Sequence, residues 1–243
     1  MTAPGKLLGV GVGPGDPELM TVKAVRALGK ADVIVYFAKA GAAGNGWTIA
    51  AEHIQTSAEK LPLIYPITTE IPKDAPDYRK ALCDFYDKAA ANIATRLDTG
   101  RDVAVVCEGD PMFFGSYMHV HVRLAPQYPT EIIAGVTGMS GCWSAAGLPM
   151  AQGDDILTVL AGTLSEAELE RRLVTTDAAV IMKLGRNLPK VRRALERSAR
   201  LDRAIYVERG TMDGSRIMPL ADKRDDDAPY FAVVLVPGWE HRS

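Results

Sequence analysis

Apolar residues along this chain switch between two periods, and each switch marks the boundary of a predicted element. Lys6 to Val12 is a short apolar run closed by glycines, as expected for a buried strand that feeds a loop. From Glu18 to Leu28 the apolar positions Leu19, Val22, Val25 and Leu28 recur every three residues, which predicts an amphipathic helix. Asp16 and Pro17 supply its N-cap and its first position. Val33 to Phe37 is a second apolar strand, so the chain opens as a strand, loop, helix and strand, and implies a parallel sheet. The stripe Leu82, Phe85, Tyr86, Ala89, Ile93 and Leu97 predicts a long helix ending at Gly100. A strand at Val103 to Cys107, a helix near Ser116 to Leu124 and a short strand at Ile132–Ile133 follow.

The stretch from Gly147-Leu148-Pro149 to Gly153-Asp154-Asp155 reads as a boundary, dividing the chain into an N-terminal domain of residues 1–149 and a C-terminal domain of residues 150–243. Beyond it the predicted strands are Ile156 to Leu160, Ala179 to Met182, Ile205 to Val207 and Phe231 to Val236. Helices at Glu166 to Arg172 and Leu188 to Arg197 separate the earlier ones. Asp213-Gly214-Ser215, and Asp225 to Asp227 with Pro229, are turns between antiparallel strands, and the acidic run reads as a solvated loop. The fold class expected is α/β, in two α/β domains.

Charge narrows the partners. With 28 Lys+Arg against 30 Asp+Glu the chain lacks the basic excess that phosphate neutralisation demands, which argues against nucleic acid. No apolar run is long enough to span a bilayer, and the N-terminus shows no signal segment, so neither membrane nor export is expected. Cys83, Cys107 and Cys142 are odd in number and far apart, consistent with reduced thiols in the cytoplasm.

The chemistry is concentrated in three loops at strand ends. GVGPGDPEL (Gly11 to Leu19) follows the first strand, EGDPMFFGS (Glu108 to Ser116) the strand at Val103, and AGVTGMSG (Ala134 to Gly141) the strand at Ile132. Ligands of open α/β sheets bind outside the carboxyl ends of strands, so three glycine-bearing loops there point to one site. A dinucleotide fingerprint fails on register: counted from Gly9, Gly11 or Gly13, its last glycine would be Pro14, Asp16 or Glu18. The phosphate-loop pattern is absent as well. A nucleoside site without phosphate machinery remains, beside the plain reading of Gly-Pro-Gly-Asp as a tight turn.

This motif series resembles that of the tetrapyrrole methylases, and AGT (Ala161 to Thr163), VIMKLGR (Val180 to Arg186) and ERGT (Glu208 to Thr211) extend the resemblance over nearly the whole chain. Ala134 stands where a typical member has proline. MKLGR and the CEGDP loop with its GSY look most like the branch acting at C20 of precorrin-2. The resemblance implies a homodimer with S-adenosylmethionine in a cleft between two α/β domains. Position by position it places Pro14, Glu108, Gly109, Asp110, Phe113, Thr137, Gly138, Ala161, Met182 and Gly210 at the cofactor.

An activated sulfonium methyl requires neither a metal nor a nucleophile from the protein, so the task is orientation and removal of one proton. Tyr117, expected at the mouth of the site, is the candidate catalytic base, with plain packing its competing role. Asp110, between Gly and Pro, suits a loop-shaping or cofactor-binding carboxylate. Arg123, Lys183, Arg186 and Arg209 lie in or near the motif loops and are candidates for a polycarboxylate substrate, against the solvated role of most surface cations. His119 and His121 face different ways on a helix, so no metal site is expected. Methylation of the cobalt-containing substrate or of another tetrapyrrole ring position, a protein-modifying methylase, a non-catalytic S-adenosylmethionine sensor and a nicotinamide oxidoreductase are the rival functions.

Overall fold

The computed structural model describes residues 3–66 and 76–238. The chain folds into two compact units, residues 1–138 and 139–243, each built on a five-stranded sheet. The division falls earlier than the one expected after Pro149. The reason is the helix that opens at Gly138: its Met139, Cys142 and Trp143 pack with Met150, Val180 and Val233 of the second unit's core.

In the first unit the strands are β1 (Leu7–Gly11), β2 (Val33–Ala38), β3 (Glu59–Ile64), β4 (Val103–Cys107) and β5 (Thr130–Ile133). All pair in parallel, in the order β3-β2-β4-β1-β5. Helices cover both faces, which is why β1 and β4 are buried along their whole length. On one face α3 (Pro76–Leu97) and α4 (Tyr117–Leu124) meet Val33, Val35, Val103 and Val105. On the other, α1 (Val22–Leu28) and α2 (Asn45–Ala50) meet Val10, Ile34, Ala104 and Val106.

The predicted first helix is two pieces. Asp16 caps a single 3₁₀ turn at Pro17–Leu19, accepting from the Glu18 N–H at 2.9 Å. Thr21 then caps α1, accepting from the Ala24 N–H at 3.1 Å. The second cap lets the chain turn between the loop and the helix.

The second unit contains α5 (Gly138–Ala145), whose first residue lies on the division between the units, and β6 (Leu157–Ala161), α6 (Glu166–Val174) and β7 (Ala178–Met182). After them come α7 (Leu188–Arg197), β8 (Ile205–Glu208), β9 (Arg216–Pro219) and β10 (Ala232–Val236). Its sheet is mixed, in the order β6-β7-β10-β8-β9: β6 and β7 are parallel, while β10 runs antiparallel between β7 and β8. The turn at Asp213 joins the antiparallel pair β8 and β9, as its sequence predicts, whereas the segment at Asp225 joins β9 to β10, which run in the same direction on either side of β8. The acidic run is more than a solvated loop, because Asp225 holds the ammonium of Lys223, a lysine 3% exposed.

Candidate functional site

The carboxyl end of a parallel strand leaves backbone groups that the sheet no longer pairs, and here three such ends are fastened to one another. Past β1 the Val12 N–H donates to the Cys107 carbonyl at 2.9 Å. Gly13 and Gly109 then form an isolated antiparallel bridge, with the Gly109 N–H donating to the Gly13 carbonyl at 2.7 Å. Asp110 spends both carboxylate oxygens on the loops: one accepts from the Met112 N–H at 2.8 Å, the other from the Gly135 N–H at 3.1 Å. Of its two expected roles, the geometry shows the loop-shaping one.

Glycine is required here for space. A Cβ on Gly135 would lie 2.1 Å from the Gly109 carbonyl oxygen, and one on Gly11 would lie 2.6 Å from both that oxygen and the Gly135 nitrogen. Side chains at either position would force the loops apart. Around Gly138, by contrast, a Cβ would meet nothing within 4 Å, so space opens directly beside the locked glycines. Pro14, Glu108, Phe113, Thr137 and Gly138 are half-buried around this interlock, and Gly109 is buried within it. Phe114 adopts a left-handed backbone, φ 54°, beside Phe113, with the two rings edge-on and 4.8 Å apart. Such a conformation costs a phenylalanine on the order of 1 kcal/mol or more and persists only where the surroundings hold it.

Glu108 faces α2. Its carboxylate accepts from the Gly46 N–H at 3.1 Å, tying the segment after β2 to the β4 loop. Burial raises its pKa, while hydrogen bonds from backbone amides and the Asn45 side chain pull the other way.

Two expected residues lie elsewhere. Tyr117 is not at the mouth of a site: it is fully buried, its ring against Gly9, where a Cβ would come within 2.5 Å of the ring. Its hydroxyl meets His121 Nδ1 at 3.3 Å, and burial pushes its pKa well above the ordinary tyrosine range. A group so enclosed and so reluctant to ionise is not placed to take a proton from a substrate. Arg123 sits in the last turn of α4, which runs from the loops back across the sheet. There its Nε donates to Asp87 at 2.7 Å, so it serves α3–α4 packing. The two neighbouring histidines do diverge: His119 stacks on Tyr86 with centroids 4.2 Å apart, whereas His121 meets Tyr117.

In the second unit β6, β7 and β8 run in one direction, so Ala161, Met182 and Gly210 come to one edge. Ala161 and Met182 are register partners, and the Gly162 N–H donates to the Met182 carbonyl at 2.7 Å. Lys183, Arg186 and Arg209 are exposed along the same edge. Lys183 (φ 58°) and Arg209 (φ 51°) both have left-handed backbones, and the Arg209 N–H donates to the Phe231 carbonyl at 2.8 Å. Thr211, absent from the predicted site, carries a buried hydroxyl with no hydrogen-bond partner among the described residues. A desolvated hydroxyl without a partner is costly, so this position is suited to a polar ligand atom or a water. The threonine of ERGT was visible in sequence, but its burial was not.

The family model of the tetrapyrrole (corrin/porphyrin) methylases matches residues 6–222. The chain is 61% identical over 238 residues to the precorrin-2 C(20)-methyltransferase of a Sinorhizobium species, covering 98% of this chain and 97% of that protein. It is 27% identical to the cobalt-precorrin-2 C(20)-methyltransferase of Salmonella typhimurium, covering 98% of each. The fold is shared with the uroporphyrin-III C-methyltransferase of Thermus thermophilus in complex with S-adenosylhomocysteine. That match has a TM-score of 0.65 at 22% identity, over 95% of this chain and 96% of the other.

Proposed function

The chain belongs to the tetrapyrrole methylases, and from that premise we propose that it transfers a methyl group from S-adenosylmethionine to C20 of precorrin-2, giving precorrin-3A in cobalamin biosynthesis. The observation that carries the reading is the 61% identity, end to end, to a precorrin-2 C(20)-methyltransferase. Identity to the relative named for the cobalt form is 27%, which favours the metal-free substrate.

The residues present fit the cofactor. The space beside Gly138 adjoins polar main chain held in place without a phosphate-binding pattern, and the buried Thr211 hydroxyl in the second unit has no hydrogen-bond partner among the described residues. Pro14, Glu108, Gly109, Phe113, Thr137 and Gly138 would hold it on loops shaped by Asp110, and the family resemblance adds Ala161, Met182 and Gly210. When bound, the sulfonium supplies a methyl group already activated for transfer. The chain's own contribution is orientation: loops locked through glycine backbones keep their carbonyls and N–H groups fixed before the substrate arrives. Lys183, Arg186 and Arg209 give the carboxylates of a reduced tetrapyrrole charged partners. A homodimer acting in the cytoplasm completes the proposal, and sedimentation at twice the chain mass tests the dimer.

An anaerobic assay with precorrin-2 and methyl-labelled S-adenosylmethionine, read by carbon NMR, tests the whole reading. Label at C20 is expected. Label at another carbon would remove the ring position and keep the chemistry. Transfer to the cobalt form alone would replace the substrate.

A further inference from the structure

A reduced tetrapyrrole is broad and partly flat, and the three locked loops occupy only the β4, β1 and β5 side of the sheet edge. The other side of that edge carries a group of aromatic rings that the cofactor reading leaves unused. Phe37 lies near the end of β2, Tyr65 directly follows β3, and Phe85 reaches them from α3. Phe37 and Tyr65 are stacked, with centroids 5.6 Å apart and planes 22° from parallel, and Phe85 lies 5.0 Å from Tyr65. All three are half-buried, whereas Tyr86 and Tyr117 on the same face of the sheet are buried. The Tyr65 hydroxyl is hydrogen-bonded to the hydroxyl of Ser116, the residue that starts α4 and closes the EGDPMFFGS loop.

We propose that Phe37, Tyr65 and Phe85 form a shelf that takes the face of a pyrrole ring of the substrate, with Ser116 fixing the plane of Tyr65. The proposal rests on the tetrapyrrole reading above and adds positioning residues to it. Three features carry it. Partly exposed stacked rings present a π-face that an apolar plug of aliphatic side chains would not. The hydroxyl of Tyr65 is spent on the loop that also carries Asp110, so the shelf and the interlock are held in one register. The sheet order β3-β2-β4 puts Tyr65 two strand spacings from β4, about 10 Å, less than the breadth of a tetrapyrrole, so one macrocycle spans both. Packing alone would account for the contact of Phe37 and Phe85 with the core, but not for a tyrosine whose ring is clamped by a serine at the start of the next helix.

The test uses the full chain, with Tyr65→Leu and Phe85→Leu removing a ring while keeping apolar bulk, and Tyr65→Phe keeping the ring. Each leucine variant is expected to raise the KM for precorrin-2 roughly tenfold, with the KM for S-adenosylmethionine and the affinity for S-adenosylhomocysteine unchanged. Tyr65→Phe should retain most of the affinity. Binding of uroporphyrin, a stable polycarboxylate tetrapyrrole, should shift its main absorption band with the native chain, and the shift should disappear in Tyr65→Leu. Wild-type KM and an intact band shift in both leucine variants would overturn the shelf while leaving the methyltransferase reading standing. Should both variants unfold, the native chain still decides, because uroporphyrin binding without a band shift overturns the stacking. A native chain that shifts the band yet methylates no tetrapyrrole would instead sink the functional reading and support the shelf.

Discussion

The two sheets prepare their edges by different means. In the first, all five strands are parallel, so every carboxyl end reaches one edge, where the β1 and β4 loops are bridged through their main chains and the Asp110 carboxylate ties in the β5 loop. In the second, the antiparallel β10 separates β7 from β8, and the edge displays exposed cations, two of them on left-handed backbones. A surface made of glycine backbone is rigid and tolerates almost no substitution. One made of Lys and Arg side chains adapts to its partner and can be altered without loss of fold. That contrast matches a division of labour between a small ligand that must be held in one geometry and a larger one with many carboxylates.

The sharpest way to break the comparison is Gly135→Ala. The new methyl group would strike the Gly109 carbonyl and the Gly11 backbone, neither of which can rotate away. Loss of S-adenosylhomocysteine affinity by more than about 100-fold, with a stability loss of about 3 kcal/mol, is expected from calorimetry and urea unfolding. Gly138→Ala, which enters open space, should leave stability unchanged and weaken cofactor binding alone. A native-like Gly135→Ala would mean that the interlock is not rigid.

On the second unit's edge, Arg209→Ala should raise the precorrin-2 KM about tenfold and leave cofactor affinity untouched. Arg209→Gly should lose the same affinity while gaining about 1 kcal/mol of stability, because glycine accepts the left-handed backbone. Equal stability of the two variants would show that this backbone is unstrained.

Tyr117→Phe removes a hydroxyl hydrogen-bonded to His121. A kcat within about threefold of wild type, and a stability loss of about 1 kcal/mol, are expected. A drop of about 100-fold or more would restore Tyr117 as the base.

The smallest effects compare two half-buried carboxylates. Lys23 and Lys6 draw the pKa of Glu131 down to about 2, and Arg171 and Arg172 do the same for Glu168. Since the folded value lies below the ordinary 4.5, each contributes stability fully above that pH and loses it as pH falls from 4.5 toward 2. Glu131 joins β5 to the N-terminal segment and to α1, whereas the partners of Glu168 are three and four residues away on its own helix. Urea midpoints measured across this range should therefore flatten more with Glu131→Gln than with Glu168→Gln.

Strongly patterned elements were legible in sequence, and elements held by context were not. β4 and α7 begin and end as the apolar pattern predicts, because both are bounded by polar turns and buried on a regular stripe. β3 escaped because Pro62 interrupts it. The strand tolerates proline at the edge of the sheet, where one side of its backbone has no neighbour. β9, also an edge, is too exposed to show an apolar period. α2 and α5 contain glycines and little helical propensity, and their burial against the sheets overrides it. Motif spacing led to the loops, but not to which side chains were already engaged. Tyr117 and Arg123 both follow a motif loop in sequence, yet α4 turns one into the core and carries the other away from the loops.

The sulfur atoms of the chain carry a last consequence. A methyltransferase keeps an electrophile within its own fold, and any thiolate nearby would compete for it. Cys107, which ends β4 immediately before the loop, is buried, and its pKa is pushed far above the ordinary thiol range by burial and then by the adjacent Glu108. Cys142, against Gly210, is pushed up to about 11 by burial. At neutral pH both remain thiols and poor nucleophiles. The packing that shapes each unit thus also shields these two thiols from the electrophile.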